Sequence, residues 1–151
     1  VNYPIIYNKM ENSINVKKVD FNPPFLEHLF LIYLGKKQDT QASIKNYLKI
    51  SFDKKHVIKK INFITNEFIK CADLNYFEKL VEEHESIISK VISVDPIQKS
   101  TFNDYRDGKI KSLGSWGGDF ILVTSRDNNL NYFKKKGFKN IFPLSEITHI
   151  N

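Results

Sequence analysis

The stretch from Lys109 to Ser125, KIKSLGSWGGDFILVTS, contains the residue types from which a ligand-binding loop is built. It holds three of the six glycines in the chain, Gly114, Gly117 and Gly118, and the only tryptophan, Trp116. Glycine lets the backbone take a positive φ and approach a ligand without a Cβ in the way. The N–H groups of such a loop can line an anion. The alternative is a tight structural corner between two strands.

Strands are predicted on both sides of these glycines. Ile110 and Leu113 precede them, and the short β-branched run Phe120–Thr124 that follows is typical of a buried strand. Asp119 stands between the glycines and this run, where its carboxylate can bind a substrate hydroxyl or only stabilise the turn. The glycine spacing matches neither GxGxxG nor a Walker A loop.

A second candidate site follows the apolar run Leu29–Leu34, which predicts a central strand that ends at Gly35. The basic segment after it contains Lys36 and Lys37, and Thr40, or Asp39 before it, can cap a following helix. A strand, a basic loop and a helix N-terminus in this order can bind an anion. An ordinary strand-to-helix turn is the alternative interpretation.

Two long amphipathic helices are predicted between the two loops, over Lys54–Ala72 and Leu74–Val91. Their apolar side chains recur at spacings of three and four residues. His84 falls within the apolar stripe of the second helix. We therefore expect its ring to pack in the core with its nitrogens hydrogen-bonded, and not to bind a ligand.

Two shorter helices and a final strand are predicted in the last third of the chain. The first helix runs from Asp95 through Tyr105, where an Asp-Pro pair supplies a cap and a first-turn proline. The second is capped by Ser125 or Asp127 and ends near Lys136. The strand covers Asn140–Leu144, and its proline predicts a position at the edge of a sheet.

The order of these elements predicts an α+β fold. Counting the helices between the first two core strands as one layer gives β-α-β-β-α-β, the ferredoxin-like split β-α-β pattern, with helices on one face of an antiparallel sheet. Two further short strands, Ile5–Tyr7 and Ile14–Phe21, predict a hairpin before this core. We therefore treat residues 1–151 as one domain, with a connecting hairpin in 1–24 and the core in 25–151.

Composition narrows the functional classes. Hydrophobic residues make up 41% and charged residues 26% of the 151 residues, as in a globular protein. A single cysteine, Cys71, excludes an internal disulfide, the four histidines have no ligand spacing, and we expect no metal site. No apolar run reaches transmembrane length, so we expect no membrane contact. With one cysteine in the chain, a reduced, cytoplasmic setting is the default expectation. The formal net charge of +6 favours acidic or phosphorylated partners.

The segment LGSWGGDFILVT resembles the third motif of the GHMP small-molecule kinases, whose usual form is SGAGGGDCxxAL. Four residues coincide with motif positions: Gly114, Gly117, Gly118 and Asp119. Trp116 replaces a glycine, and Phe120 replaces a small residue or cysteine. The resemblance implies a substrate and phosphate loop over 114–119, composed of Gly114, Ser115, Trp116, Gly117, Gly118 and Asp119. It also makes Lys36, Lys37 and Thr40 candidate anion contacts.

The resemblance implies that the chain is the C-terminal, substrate-side half of an ATP-dependent kinase for a mevalonate-like or sugar substrate. The N-terminal half of that family supplies a GLGSSA-type phosphate loop and the catalytic acid, and neither occurs in this sequence. We therefore expect a fragment without catalytic residues of its own, whose partners are that half and the substrate. ATP and Mg²⁺ would be bound mainly by the missing half, and we do not expect nucleic acid as a partner. The alternative is a non-catalytic ferredoxin-like binding or regulatory module with a basic surface.

Overall fold

The computed structural model describes residues 3–10, 13–35, 47–48, 50–114, 116 and 118–147, which form two antiparallel sheets. The first sheet is a hairpin of β1 (Ile5–Lys9) and β2 (Ile14–Lys18). The second sheet contains four strands: β3 (Leu29–Tyr33), β4 (Ile110–Ser112), β5 (Phe120–Thr124) and β6 (Ile141–Pro143). Their spatial order is β4-β5-β3-β6, and every neighbouring pair is antiparallel.

The α-helices whose full extent lies in the described part of the chain connect or follow these strands. They are α1 (Lys54–Lys70), α2 (Leu74–Ile92), α3 (Ile97–Ser100), α4 (Asn131–Lys135) and α5 (Leu144–Ile147). Asp73 caps α2 as predicted, because its carboxylate accepts the Tyr76 N–H at 2.7 Å. The α+β fold with an antiparallel ferredoxin-like sheet is confirmed. None of the described helices is both long and apolar enough to cross a membrane.

The pairing register assigns the side chains of the large sheet to two faces. Leu29 lies opposite Thr124 and Leu31 opposite Leu122, so these residues share one face. The two long helices cover that face and form the predicted helical layer, in a cluster of Phe25, Leu29, Cys71, Phe77 and Val81. The other face packs against Ile97 of α3 and Phe133 of α4, in a cluster that includes Ile32, Phe102, Tyr105, Ile121 and Val123. Helices therefore lie on both faces of the sheet, and the predicted placement of the helices on one face is wrong, because both faces carry apolar side chains that must be covered.

A buried polar network joins α2 to the end of β5. The Thr124 hydroxyl donates to Glu78 Oε1 at 2.7 Å, and the guanidinium of Arg126 pairs with the same carboxylate. The Tyr105 hydroxyl donates to the Thr124 carbonyl at 2.7 Å. Since Glu78 has both a hydroxyl donor and a cation, its burial is compensated and α2 is held in one position over the sheet.

The helix predicted over 95–105 is wrong in extent. Only Ile97–Ser100 is helical, and the chain then continues in turns. These turns let Phe102 and Tyr105 both reach the aromatic cluster, where their rings lie 5.5 and 5.0 Å from the ring of Phe133. Burial of two large rings outweighs the local preference for a longer helix.

The predicted cap at Ser125 or Asp127 is also wrong. Ser125 is fully buried, and its hydroxyl donates to Asp107 Oδ2 at 2.5 Å. The helix starts six residues later, at Asn131, without a side-chain cap. The Ser125 hydroxyl is therefore used in a tertiary hydrogen bond, which local spacing does not reveal.

Candidate functional site

The glycine loop, residues 114–119, connects β4 to β5. The Leu113 N–H donates to the Phe120 carbonyl at 3.2 Å and closes the loop at its base. The Leu34 N–H donates to the Asp119 carbonyl at 2.8 Å and ties the loop to the end of β3. The loop is therefore held at the same end of the sheet as the point where the chain leaves β3.

The backbone of this loop takes the left-handed conformation at two described positions. Gly114 has a φ of 67° and Trp116 a φ of 59°. The first is a conformation that glycine adopts without cost, whereas a tryptophan there is uncommon and costs roughly 1–2 kcal/mol. Ring packing at Trp116 must offset this cost.

Trp116 lines a cavity of about 170 Å³ beneath the loop. The cavity lies between the loop, the connection from α2 to α3 and the end of β3, and its walls include Leu34, Val94, Thr101 and Ser112. Ser112 is buried, and its hydroxyl has no hydrogen-bond partner among the described residues. The cavity is thus mainly apolar with one unsatisfied hydroxyl in its wall.

Three aromatic rings lie beside the loop on the face of the sheet that is opposite to the cavity. The ring of Phe120 is 5.1 Å from the ring of Tyr33 and 6.5 Å from that of Phe142. Phe120 and Tyr33 are half-buried, whereas Phe142 is exposed. The motif departure at Phe120 therefore forms part of an aromatic patch that is open to a ligand or a partner.

Of the remaining predicted loop residues, the structure describes Gly118 and Asp119. Gly118 is buried at the base of the loop, and Asp119 is exposed. Ser115 and Gly117 lie outside the described residues, and so do the candidate anion contacts Lys36, Lys37 and Thr40. The Leu34–Asp119 hydrogen bond nevertheless brings the end of β3, which directly precedes the basic segment, to the glycine loop.

A polar cleft of about 480 Å³ along β4 was not predicted from the sequence. It lies between α2, α3 and the outer edge of β4, and its lining includes Glu82, Glu85, Ser86, Gln98 and Lys109. Gln98 covers the strand edge, because its side chain accepts the Ile110 N–H at 3.0 Å and donates to the Gly108 carbonyl at 3.1 Å. From the sequence, the spacing of apolar residues in Leu74–Val91 predicted only an amphipathic helix and no cleft.

Glu85 is the unusual residue of this cleft. It is 3% exposed, and neither carboxylate oxygen has a hydrogen-bond partner in the described part of the chain. The Lys111 ammonium lies 3.8 Å from Glu85 Oε1. Burial lowers the pKa of Lys111, and the Glu85 carboxylate opposes that shift.

The prediction for His84 is half right. Its side chain is 16% exposed, in agreement with a packing role, but its Nδ1 has no hydrogen bond and lies 3.7 Å from Glu85 Oε1. The expected hydrogen bond at that nitrogen is therefore wrong. The stripe position indicated burial, whereas the polar partners of a buried ring depend on tertiary neighbours.

The described residues contain no group of three or more His, Cys, Asp or Glu side chains that could hold a metal ion. Asp119 is the only acidic residue of the glycine loop. These described side chains therefore form no multi-ligand metal site of their own.

The sheet and its helices define a ferredoxin-like α+β domain with a glycine loop at one end. No protein-family model matches the chain, and no curated protein matches its sequence. Solved structures that share the fold include two of mevalonate kinases. A mevalonate kinase crystal structure aligns with a TM-score of 0.61 at 19% identity, covering 85% of this chain and 43% of that one. The L. major mevalonate kinase in complex with R-mevalonate aligns with a TM-score of 0.65 at 14% identity, covering 91% and 47%.

The chain therefore spans less than half the length of either mevalonate kinase. At these identities the likeness establishes a shared fold with part of those proteins, while function has to be argued from the site.

Proposed function

We propose that this chain is the C-terminal, substrate-side half of an ATP-dependent small-molecule kinase of the GHMP type. The acceptor would be a hydroxyl or phosphate group of a mevalonate-like or sugar substrate. The N-terminal half of such a kinase would supply the phosphate-cradling loop and the catalytic acid. The fold shared with two mevalonate kinases supports this assignment to a kinase-type domain.

The observation that carries the proposal is the position and conformation of the glycine loop. The GHMP-like motif coincides with the loop between β4 and β5, and Gly114 in it has a φ of 67°. The loop is anchored by backbone hydrogen bonds to β5 and to the end of β3, at Leu34. The described ends of the loop are therefore fixed by hydrogen bonds, and a fixed frame is what positioning a phosphate or its acceptor requires.

Phosphoryl transfer depends mainly on positioning and on neutralising charge at the transferred group. In our proposal the loop N–H groups approach phosphate oxygens or the phosphate loop of the other half. Asp119 is exposed and accepts a hydrogen bond from a substrate hydroxyl. Lys36 and Lys37 follow the strand end that is tied to this loop, and their charges would balance the phosphate.

ATP and Mg²⁺ would be held by the other half of the kinase. The side chains described here include no metal-binding group, so binding of the metal–nucleotide complex is assigned to residues outside them. When bound, that complex supplies the phosphoryl group and offsets its charge. The contribution of this chain is to bind and orient the acceptor.

The test is a phosphoryl-transfer assay with ATP and four acceptors: mevalonate, phosphomevalonate, galactose and homoserine. The isolated 151-residue chain should give no turnover, and the complete polypeptide encoded by its gene should phosphorylate one acceptor. Turnover by the isolated chain would contradict the assignment of the phosphate loop and the catalytic acid to the other half. A folded complete polypeptide that transfers phosphate to none of them would favour the non-catalytic module.

A further inference from the structure

The hairpin of β1 and β2 is separate from the rest of the fold. Its two strands pair only with each other, in a sheet distinct from the four-stranded one. Within the described ranges, neither hydrophobic core cluster contains a residue of these strands. The hairpin is thus a structured segment that contributes nothing to the core beneath the glycine loop.

One face of this hairpin is apolar and exposed. The register places Tyr7 opposite Val16, Ile5 opposite Lys18 and Ile14 opposite Lys9, so these side chains share a face. Four of them are large and apolar, with exposures of 42% for Ile5, 57% for Tyr7, 61% for Ile14 and 54% for Val16. The other face contains the polar residues Asn8, Asn15 and Lys17, together with one half-buried apolar residue, Ile6.

This alternation is the pattern of a strand pair with one buried face. A two-stranded hairpin is marginally stable in water on its own, and a contiguous exposed apolar patch marks an interaction surface. The sequence therefore encodes a buried face for a hairpin that has nothing covering it within the described part of this chain.

We propose that the apolar face of the hairpin docks onto the other half of the kinase fold, within the same polypeptide. This inference rests on the proposed function. The two mevalonate kinases that share the fold are more than twice as long as the part this chain covers, since it spans 43% and 47% of them. A half of that size supplies a second hydrophobic layer that can bury the hairpin.

Charge defines the surface that the hairpin fits. Lys9 and Lys18 lie at diagonally opposite corners of the apolar face, and the Lys18 ammonium sits 4.7 Å from the centre of the Tyr3 ring. The complementary surface is therefore apolar at its centre with carboxylates at its rim. A second copy of this chain fits less well, because it would bring lysines against lysines over too few side chains for a stable dimer.

Hydrogen exchange of the strands tests the proposal. The amides of residues 5–9 and 14–18 should exchange at least about tenfold more slowly in the complete polypeptide than in the isolated 151-residue chain, because docking protects them. Equal exchange in the two proteins overturns the proposal. The proposal is also overturned if the complete gene product consists only of the 151 residues and the amides of both strands exchange without protection.

A matched pair of variants tests which face docks. Val16→Thr places a hydroxyl on the apolar face at nearly constant shape, and Asn15→Thr places the same residue on the polar face next to it. In the complete polypeptide Val16→Thr should lower the Tm, while Asn15→Thr should not. In the isolated chain neither variant should change the Tm, and an equal loss from Val16→Thr in both proteins would mean that the hairpin packs on its own sheet.

Light scattering and a phosphoryl-transfer assay distinguish failure of the docking proposal from failure of the proposed function. If light scattering finds the isolated chain dimeric and Val16→Thr makes it monomeric, the occupant is a second copy and the proposal is overturned. Phosphoryl transfer is measured separately. A complete polypeptide with protected strands and no transfer contradicts the proposed function alone, whereas transfer with unprotected strands contradicts the docking proposal alone.

Discussion

The backbone N–H of Leu34 donates to the carbonyl oxygen of Asp119 over 2.8 Å. This bond joins the end of β3 to the end of the glycine loop, two segments that are far apart in the sequence. It uses the backbone of Asp119 and leaves the exposed carboxylate for a ligand. It also brings the strand that precedes the basic segment Lys36–Thr40 to the loop, so both sequence-derived site candidates start at one end of the sheet.

Substituting Gly114 should separate catalysis from stability. Gly114 has a φ of 67° and open space around an added Cβ, so Gly114→Ala strains only the backbone. The strain should cost about 1–2 kcal/mol of unfolding free energy. Under the proposed function, a backbone shift of about 1 Å at the acceptor site should reduce phosphoryl transfer by the complete polypeptide on the order of a hundredfold. Steady-state transfer and urea unfolding measure the two effects.

Gly137 is the matched control for that variant. It also has a positive φ, 91°, and nothing within 4 Å of an added Cβ, but it lies outside the loop at the end of α4. Gly137→Ala should lose similar stability and keep the transfer rate. Equal transfer rates in the two variants would mean that the glycine loop is only a structural corner.

Asp119→Asn should weaken substrate binding without unfolding the protein. The substitution keeps the side-chain shape and removes a charge from an exposed position. Loss of a charge-assisted hydrogen bond should raise the KM for the acceptor about tenfold. Asp127→Asn, at another exposed aspartate, is the control and should leave both KM and Tm unchanged. An unaltered KM in Asp119→Asn would assign this residue to the turn alone.

Of two variants of Trp116, the glycine variant should be more stable than the alanine variant, which is the reverse of the usual order. Both Trp116→Ala and Trp116→Gly remove the ring from the cavity wall, but only glycine also relieves the positive φ of 59°. The glycine variant should therefore be more stable than the alanine variant by about 1 kcal/mol. Urea unfolding monitored by circular dichroism measures the difference. An alanine variant as stable as the glycine variant would show that this backbone conformation is not maintained in solution.

Lys111 should make stability depend on alkaline pH. Burial lowers its pKa from the ordinary 10.5, with Glu85 opposing, so the folded state binds this proton less tightly than the unfolded state. Raising the pH through the lowered pKa towards 10.5 should therefore increase the free energy of unfolding of the wild type relative to Lys111→Met. Lys134→Met, at an exposed position, should show no such trend against the wild type. A difference that stays flat or decreases with pH would contradict the burial of the charge.

The sequence alone was sufficient for the elements whose signal is local. The central strands of the large sheet are continuous apolar runs and both long helices have periodic apolar side chains, and burial of these side chains is what stabilises the elements. The α+β class followed from their order. The extents of the short helices did not follow, because Phe102 and Ser125 take their positions from a ring cluster and a distant carboxylate.

The sequence alone also located the glycine loop, since three glycines beside a tryptophan and a predicted strand are a pattern that can be recognised locally. What surrounds the loop was decided only by tertiary structure. The register of β3 with β5 places Asp119 beside Leu34, and the packing of α2 brings Glu85 within 3.8 Å of the Lys111 ammonium. Gly108 is constrained in the same way, because an added Cβ there would lie 2.1 Å from the Thr124 carbonyl oxygen. Such distances depend on contacts between segments far apart in the chain, and local side-chain spacing contains no information about them.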